Sequence, residues 1–338
     1  MTDGEAVPES GAVPEGGVLS STVVPRGATA GEAVPRGATS GPTAFRESYA
    51  GDLGAVDVLH RLALAVSPVD ARTNGPVWPG VRADREVESP SDRFGRSLLR
   101  VLPLEAHGGT AFVLRYGGGC GGGVRGRTVS LRIADPASRW VPRRFVLPLW
   151  TRAELAEAER PSGTFVPVAA RLLRPWLLPG VAYPVARGVT GLRLRVTLAG
   201  APVRWPRMEA FGPGGQRVGW AHGDQYGQVL LLVDGTGALP PPTPARFDVA
   251  LRAHIPDPAT VPLPEALDRL DALDPLDPLG DLVVEAVDRS HNPPRPEDLD
   301  NDVLRGLAVP DGYLTAARDV VRSLTVGQVI RSPDLPFG

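Results

Sequence analysis

Short runs of alternating apolar and polar residues recur along the chain and predict β-strands. The clearest run lies in residues 188–255, where Leu192, Leu194 and Val196 alternate with polar residues. This period of two places one face of a strand in a core and the other in water. Four further strands are predicted in this region, at 207–211, 217–221, 228–233 and 247–253.

A second β-rich region covers residues 44–150 and is also predicted to be a sandwich. Its last apolar run contains Pro142 and Pro148, and proline cannot donate a ladder hydrogen bond, so this strand is predicted to lie at a sheet edge. Pro76-Val77-Trp78-Pro79 resembles the turn that begins at Pro202, so a repeat of the 188–255 unit within 56–150 and a chance similarity both remain open. The predicted strands of the region are 60–66, 76–83, 110–116, 127–134 and 141–149.

Other signals describe the segments around these two regions. Residues 151–160 fit a short helix in which Thr151 is the N-cap and Glu154 completes a capping box, and a proline-rich linker continues to 187. Residues 256–338 form an acidic, irregular C-terminal segment, and its stretch 316–330 fits a strand and a short helix equally well.

The N-terminal residues 1–43 are of low complexity, and Val-Pro-Arg-Gly-Ala-Thr occurs there at 24–29 and again at 34–39. This composition predicts a disordered tether. The fold class predicted for the whole chain is therefore mainly β. It comprises one or two small antiparallel β-sandwich domains, Ig-like or transthyretin-like, between a disordered tail and an irregular acidic segment.

Composition narrows the class of protein. The 40 Gly and 37 Pro favour short strands and turns over long helices. All positive charge comes from arginine, and the net charge of −2 gives no bulk attraction for nucleic acid. The N-terminus lacks the features of a secretory signal, and no apolar stretch is long enough to span a bilayer. We therefore expect a cytoplasmic protein, free or within a particle, without membrane insertion or nucleic-acid binding.

No motif predicts a catalytic, cofactor-binding or metal-binding site. The single cysteine, Cys120, lies among glycines and excludes an intrachain disulfide and a cysteine-built zinc site. The five histidines are scattered singly, and prolines interrupt the acidic run 268–281, which does not match a calcium loop. Neither a phosphate-binding Walker loop nor a Gly-x-Ser-x-Gly elbow is present. The chain is predicted not to be an enzyme and to need no cofactor.

One group of polar residues keeps a hydrolase as a less favoured hypothesis. His222 and Asp224 are close in sequence, with Tyr226 beyond them, and a His–Asp pair can take part in acid–base chemistry. Because no nucleophile is associated with them by a motif, hydrogen bonding within the turn is the favoured interpretation.

Arginine and tryptophan residues are candidates for a protein–protein interface. These residue types dominate interface energetics. For any single tryptophan, a place in the core is the alternative, and the arginines have the acidic C-terminal segment as an alternative partner. The candidate interface residues are Trp140, Arg143, Arg144, Trp150, Trp176 and Trp205.

The unit at 188–255 resembles the carboxypeptidase regulatory-like (transthyretin-like) β-sandwich. The matching residues are Leu194-Arg195-Val196, Gly200-Ala201-Pro202-Val203, Met208-Glu209-Ala210 and the turn Asp224-Gln225-Tyr226-Gly227. In such a turn a side-chain oxygen accepts from backbone N–H groups, and glycine supplies a positive φ. The resemblance implies an accessory module that stiffens, spaces or binds without chemistry of its own.

The chain combines a disordered head, sandwich modules, an acidic connector and a short proline-rich tail. This order of segments resembles that of actinobacterial proteins associated with contractile, phage-tail-like injection particles. The leading hypothesis is a non-catalytic structural or docking component of a larger protein assembly, in which a free edge strand accepts a strand of a partner. The alternative is a stand-alone β-sandwich protein that binds carbohydrate or peptide.

Overall fold

The computed structural model describes residues 62–77, 79–88, 99–116, 128–158, 171–234, 244–259, 277, 279–287 and 302–338. The tether predicted at 1–43 and the loop that holds Cys120 lie outside the described residues. The chain is mainly β, as the alternating pattern predicts, and two short helices accompany its strands in the described part.

The strands of the first half are β1 (Leu62–Val66), β2 (Val69–Asp70), β3 (Arg82–Glu88), β4 (Leu99–Pro103), β5 (Glu105–His107), β6 (Ala111–Arg115), β7 (Thr128–Ala134), β8 (Arg143–Pro148), β9 (Leu172–Leu173) and β10 (Trp176–Leu177). Those of the second half are β11 (Gly191–Leu198), β12 (Ala201–Pro202), β13 (Arg207–Phe211), β14 (Arg217–His222), β15 (Gln228–Leu232) and β16 (Arg246–Pro256). The C-terminal strands are β17 (Val284–Ala286), β18 (Tyr313–Thr315), β19 (Val320–Thr325), β20 (Val329–Arg331) and β21 (Leu335–Pro336). Helix α1 covers Arg152–Ala158, and α2 covers Asp302–Arg305.

Two sheets enclose the first core in a sandwich-like arrangement. One has the order β5-β6-β1-β9, the other the order β17-β8-β7-β3-β4, and β10 and β2 pair separately. Leu64 of β1, Phe112 of β6, Leu131 of β7 and Phe145 of β8 are buried in this core. The alternation in the sequence produces it, because every second residue of these strands points between the sheets.

The strand at 143–148 occupies the interior of its sheet and not the edge that its prolines suggested. β8 pairs with β7 on one side and in parallel with β17 on the other. Pro142 lies outside the strand and Pro148 ends it, so neither interrupts the ladder. The prediction of an edge was wrong because β17 comes from residues 140 positions later in the chain, which no local pattern reveals.

β3 is a central strand that the sequence pattern did not single out. Its sequence, Arg-Ala-Asp-Arg-Glu-Val-Glu, is mostly charged, yet it pairs with β4 and β7. The Glu86 carboxylate is buried and paired with Arg132 on β7 and Arg144 on β8. Ion pairing inside the sheet therefore replaces the apolar alternation that normally marks such a strand.

A second pair of sheets encloses the second core. β11 pairs with β12, β15, β20 and β21, and the facing sheet has the order β14-β13-β16-β18, with β19 also paired to β16. Leu192 of β11, Met208 of β13, Leu251 of β16 and Leu324 of β19 are all buried between them. Four of the contributing strands lie between residues 313 and 336, well beyond the predicted module at 188–255.

The C-terminal segment therefore belongs to both sandwiches, although we expected an irregular connector at 256–338. β17 extends the first sandwich, and β18 to β21 extend the second. The parallel strand pairs are β1 with β9, β2 with β10, β8 with β17, and β11 with both β20 and β21. In each pair the two strands are far apart in the sequence. Such pairings need long connections, so the sheets are mixed and not purely antiparallel.

Three local predictions are confirmed by backbone and side-chain contacts. Thr151 Oγ1 accepts from the N–H of Glu154 at 3.1 Å, and Glu154 Oε2 accepts from the N–H of Thr151 at 2.7 Å, which is the capping box. Asp224 Oδ1 accepts from the N–H groups of Tyr226 and Gln228 at 2.8 and 2.9 Å. Gly227 has a φ of 72°, as the turn requires.

None of the helices in the described part of the chain is long and apolar enough to cross a membrane.

Candidate functional site

A buried ionic cluster joins the two sandwiches. It consists of Arg143 on β8, Glu285 on β17 and Arg207 on β13, which are 0%, 3% and 5% exposed. Arg143 Nε donates to Glu285 Oε1 at 2.9 Å, and its Nη2 donates to Oε2 at 2.5 Å. Arg207 Nη2 donates to the same Oε1 at 3.0 Å. One carboxylate from the C-terminal segment therefore holds one arginine from each sandwich.

The remaining donors of Arg143 are satisfied by backbone carbonyls. Its Nη1 donates to the carbonyls of Trp176 and Leu304, each at 2.7 Å, and its Nη2 also donates to the carbonyl of Val303. Burial alone would raise the pKa of Glu285, but the charges of Arg143 and Arg207 outweigh it and hold that pKa below its usual value. Full hydrogen bonding is what makes a buried charge tolerable.

His222 completes the cluster as a neutral side chain. Its Nε2 lies 2.8 Å from the carbonyl oxygen of Gly306, which can only accept, so we assign the proton to Nε2. The unprotonated Nδ1 then accepts from Arg207 Nη1, which lies 2.6 Å from it. Burial, together with repulsion from Arg207 and Arg143, lowers the pKa of His222 well below its ordinary value. A neutral imidazole adds no third positive charge to the junction.

Two further carboxylates of the C-terminal segment pair with arginines of the sandwiches. Asp277 pairs with Arg132 on β7, and Asp281 pairs with Arg204 beside β13. Asp281 Oδ1 also accepts from the indole N–H of Trp205 at 3.0 Å. With Glu285, these carboxylates recur every fourth residue and connect the segment to both sandwiches.

A cleft of about 590 Å³ opens beside this junction. Its walls come from the first sandwich, from the connection between the sandwiches, from the Asp224 turn of the second sandwich and from the C-terminal segment. The polar lining residues are Arg82, Asp84, Arg132, Asp135, Ser138, Asp224, Gln225 and Asp277. The apolar ones include Val101, Pro136, Trp140, Pro142, Val181 and Leu279.

Most of the cleft's charged groups already have partners. Asp135 accepts from Arg139 and from the N–H of Ala137, and Asp224 caps its own turn. Asp84, in contrast, has neither a hydrogen bond nor an ion pair with any described residue. Its partial burial raises the pKa of its carboxyl group. Arg132 Nη2 is buried and has no hydrogen-bond partner among the described residues.

Three of the six candidate interface residues are buried within the chain. Arg143 is the centre of the ionic cluster, and Trp140 and Trp205 are 1% and 3% exposed. Trp140 lies edge to face with Tyr183 at 6.2 Å between centroids. These residues therefore do not form an exposed surface, and for Trp140 and Trp205 the alternative of a buried tryptophan holds.

The other three candidates are half-buried and are also engaged inside the chain. Arg144 pairs with Glu86 and reaches the carbonyls of Gly280 and Leu282. Trp150 packs against the first core. The guanidinium of Arg305 lies 5.4 Å from the ring of Trp176. Pairing of the arginines with the C-terminal segment, the alternative to an external partner, thus occurs for Arg143 through Glu285 and for Arg144 through backbone carbonyls.

His222, Asp224 and Tyr226 do not come together as an acid–base site. His222 bonds to Arg207 and Gly306, while Asp224 bonds to the backbone of its own turn. Tyr226 is exposed. The residues that matter at the junction, Arg207 and Glu285, were missed; the four-residue spacing of Asp277, Asp281 and Glu285 was the available signal.

A second histidine has partners that resemble a nucleophile–base–acid series. His254 Nδ1 lies 2.9 Å from Thr315 Oγ1, and its Nε2 lies 3.1 Å from Glu209 Oε2. Glu209 also pairs with Arg217, and none of the three residues of the series lines the cleft. His254 and Thr315 are directly opposite each other on β16 and β18, which makes this an ordinary cross-strand contact.

The described residues contain no group of three or more His, Cys, Asp or Glu side chains placed to hold a metal ion. The carboxylates of the junction are instead paired with arginines. Comparison with protein-family models, with curated proteins and with solved structures finds no match for this chain.

Proposed function

We propose that this protein is a non-catalytic docking component of a larger protein assembly and that it binds its partner through the open edge at β19. The observation that carries the proposal is an unpaired, partly apolar edge strand. Among the described residues, β19 pairs with β16 on one side and with no strand on the other. Val321 in β19 is 61% exposed, and Leu314 in the adjacent β18 is 43% exposed.

Natural edge strands are usually protected from pairing with another chain by charged side chains, a proline or a bulge. β19, with the sequence Val-Val-Arg-Ser-Leu-Thr, contains no proline, and its register with β16 is continuous. Its single charged residue, Arg322, bonds to Ser332 and to the Val321 carbonyl. An extended segment of a partner can therefore add to this sheet by β-augmentation.

The charges near the two ends of β19 favour an acidic partner segment. Arg246 lies opposite Thr325 at one end, and Arg318 lies two residues before the strand at the other. Both arginines are exposed, and neither has an ion pair with a described residue. An extended segment with carboxylates flanking an apolar residue would complement them.

A rigid connection between the two sandwiches is what a structural component of an assembly needs. The Arg143–Glu285–Arg207 cluster links the second sandwich to the first, so a force applied by a partner at β19 would pass to the first sandwich without a flexible linker. The resemblance in layout to proteins of contractile, phage-tail-like injection particles indicates the kind of assembly in which such a part would serve.

The test is affinity purification of the tagged full-length chain from its native host, followed by sizing and identification of the bound proteins. The variant Val321→Asp places a charge on the open edge and should move the chain from a large complex to a monomer. The matched control is Val284→Asp, which changes an exposed valine of β17 on the first sandwich.

Recovery of the wild type and the control, but not Val321→Asp, in a large complex of defined composition would support the proposal. Melting curves must show that both variants remain folded. A wild-type chain that elutes as a monomer, or a complex that survives Val321→Asp, contradicts it.

A further inference from the structure

We propose that the cleft between the two sandwiches is a binding site for a neutral, hydroxyl-rich ligand of the saccharide class. This inference does not depend on docking at β19, which lies outside the cleft lining. It rests on the place of the cleft, on its unsatisfied polar groups and on the alternation of polar and apolar surfaces in its walls.

The position and size of the cleft are those of a ligand site. Small-molecule sites are preferentially found where domains meet and occupy about 300–1,000 Å³. The cleft measures about 590 Å³ and is lined by both sandwiches and the C-terminal segment. Because the ionic cluster holds these parts together, the walls are formed before any ligand arrives, which lowers the entropic cost of binding.

Two groups in the walls need partners of opposite kinds. Asp84 and Arg82 lie two residues apart on the same face of β3, and both line the cleft. The Asp84 carboxylate only accepts hydrogen bonds, whereas the exposed Arg82 guanidinium only donates them and has no ion pair with a described residue. A hydroxyl group both donates and accepts, so neighbouring hydroxyls of one ligand can satisfy both residues.

Other lining residues add further hydrogen-bond donors and acceptors to the cleft. Arg132 lies directly opposite Asp84 on β7, and its guanidinium, which is paired with Glu86 and Asp277, forms part of the same wall. Ser138 and Gln225 supply groups that donate and accept. A cation would leave Arg82 without a partner, and an anion would leave Asp84 without one, so a neutral ligand with many hydroxyls fits better than either.

The apolar walls suit the remaining surface of a saccharide. Pro136, Pro142, Val181 and Leu279 lie among the polar residues. A sugar ring presents hydroxyl groups at its edge and C–H groups on its faces, so such mixed walls can contact both.

The backbone beside the cleft is held in an uncommon conformation. Ser138 has a φ of 54°, in the left-handed region that a non-glycine residue seldom adopts. Its carbonyl accepts from the N–H of Ala182 at 3.0 Å, and a Cβ at Gly180 would lie 2.5 Å from the same oxygen. Close packing at Gly180 thus fixes this part of the wall, and such fixed, strained residues concentrate at ligand sites.

The experiment uses the full-length chain on an array of neutral mono- to tetrasaccharides, followed by calorimetry with the saccharide that gives the strongest signal. We expect a Kd at or below about 1 mM, the range of weak specific ligands. Asp84→Asn and Arg82→Gln should each weaken binding at least about tenfold. The matched controls, Asp248→Asn and Arg331→Gln, change exposed residues of the second sandwich outside the cleft and should leave the Kd unchanged.

Spermidine and inorganic phosphate serve as the cationic and anionic probes. Saccharide binding that is lost in both cleft variants, but kept in both controls, supports the proposal. The absence of any array signal, binding of spermidine or phosphate alone, or saccharide binding that persists in Asp84→Asn and Arg82→Gln overturns it. Melting curves of the two cleft variants exclude unfolding as the cause of a loss.

Discussion

At the scale of single residues, Glu285 is the buried carboxylate on which the junction between the sandwiches depends. It is the only carboxylate that contacts both Arg143 and Arg207 in the described part of the chain. Replacing a buried ion pair by apolar residues can be neutral, but removing one member leaves an uncompensated buried charge. Removing Glu285 leaves two such charges close together.

We therefore predict that Glu285→Gln lowers the free energy of unfolding by ~3–5 kcal/mol, as expected for a broken buried pair. The measurement is urea unfolding at neutral pH. The control is Asp334→Asn, which removes the pairing of a half-exposed carboxylate with Arg195 and should cost about 1 kcal/mol or less. Equal losses in the two variants would show that the cluster does not hold the sandwiches together.

The residue scale also shows why the candidate interface fell inside the molecule. Arginine and tryptophan are enriched at interfaces because they combine apolar area with directional donors. The junction between two sandwiches of one chain is physically an interface too. Arg143 bonds to Glu285 there, and Trp205 bonds to Asp281. Composition identified residues that join surfaces, but it could not tell an internal junction from an external one.

At the scale of elements, the strands that the sequence predicted well are those with one apolar and one polar face. β11, β13 and β7 follow the alternation closely, and α1 begins at its predicted cap. β3 was missed because its charges are neutralised inside the sheet. The edge assigned to β8 was wrong because its neighbour, β17, is distant in sequence.

β19 illustrates how one strand can serve two purposes. Leu324 is fully buried in the second core, whereas Val321, three residues earlier, is mostly exposed. We predict that Leu324→Ala lowers the free energy of unfolding by ~2–5 kcal/mol through lost contacts and a cavity. Thermal or urea unfolding gives the value.

Val321→Ala in the same strand is the matched control and should change stability by no more than about 0.5 kcal/mol. If both alanine variants are equally mild, the C-terminal strands are not an integral part of the second sandwich. A strong effect of Leu324→Ala alone means that this sandwich needs residues far beyond 255.

At the scale of the whole molecule, the junction makes stability depend on pH. Burial and the two arginines lower the pKa of His222 in the folded chain. Below about pH 6.5 the unfolded chain therefore binds a proton at this histidine that the folded chain does not bind, which favours unfolding. This contribution is complete above about pH 6.5 and falls as the pH drops below it. The lowered pKa of Glu285 acts in the same direction at more acidic pH.

We predict that the free energy of unfolding falls between pH 7 and pH 5 by up to ~1.4 kcal/mol per pH unit for each such histidine. The pKa of His254 is also lowered by burial, so His222→Gln should reduce the slope and not abolish it. Urea unfolding at pH 7.5, 6.0 and 5.0 measures it. His107→Gln, at an exposed position of β5, is the control; an unchanged slope in His222→Gln would contradict the prediction.

The sequence by itself determined the fold class, most strands of the 188–255 unit, the capping box of α1 and the Asp224 turn. All of these depend on residues within a few positions of each other, so local periodicity and turn-forming residues are enough to predict them. Only the tertiary structure decided that β17 joins the first sandwich and β18 to β21 the second. It also decided that Arg143, Arg207 and Glu285 meet. The contacts of Glu285 with Arg207 and Arg143 join residues 78 and 142 positions apart, and which distant charges share a buried site is set by the packing of whole sheets.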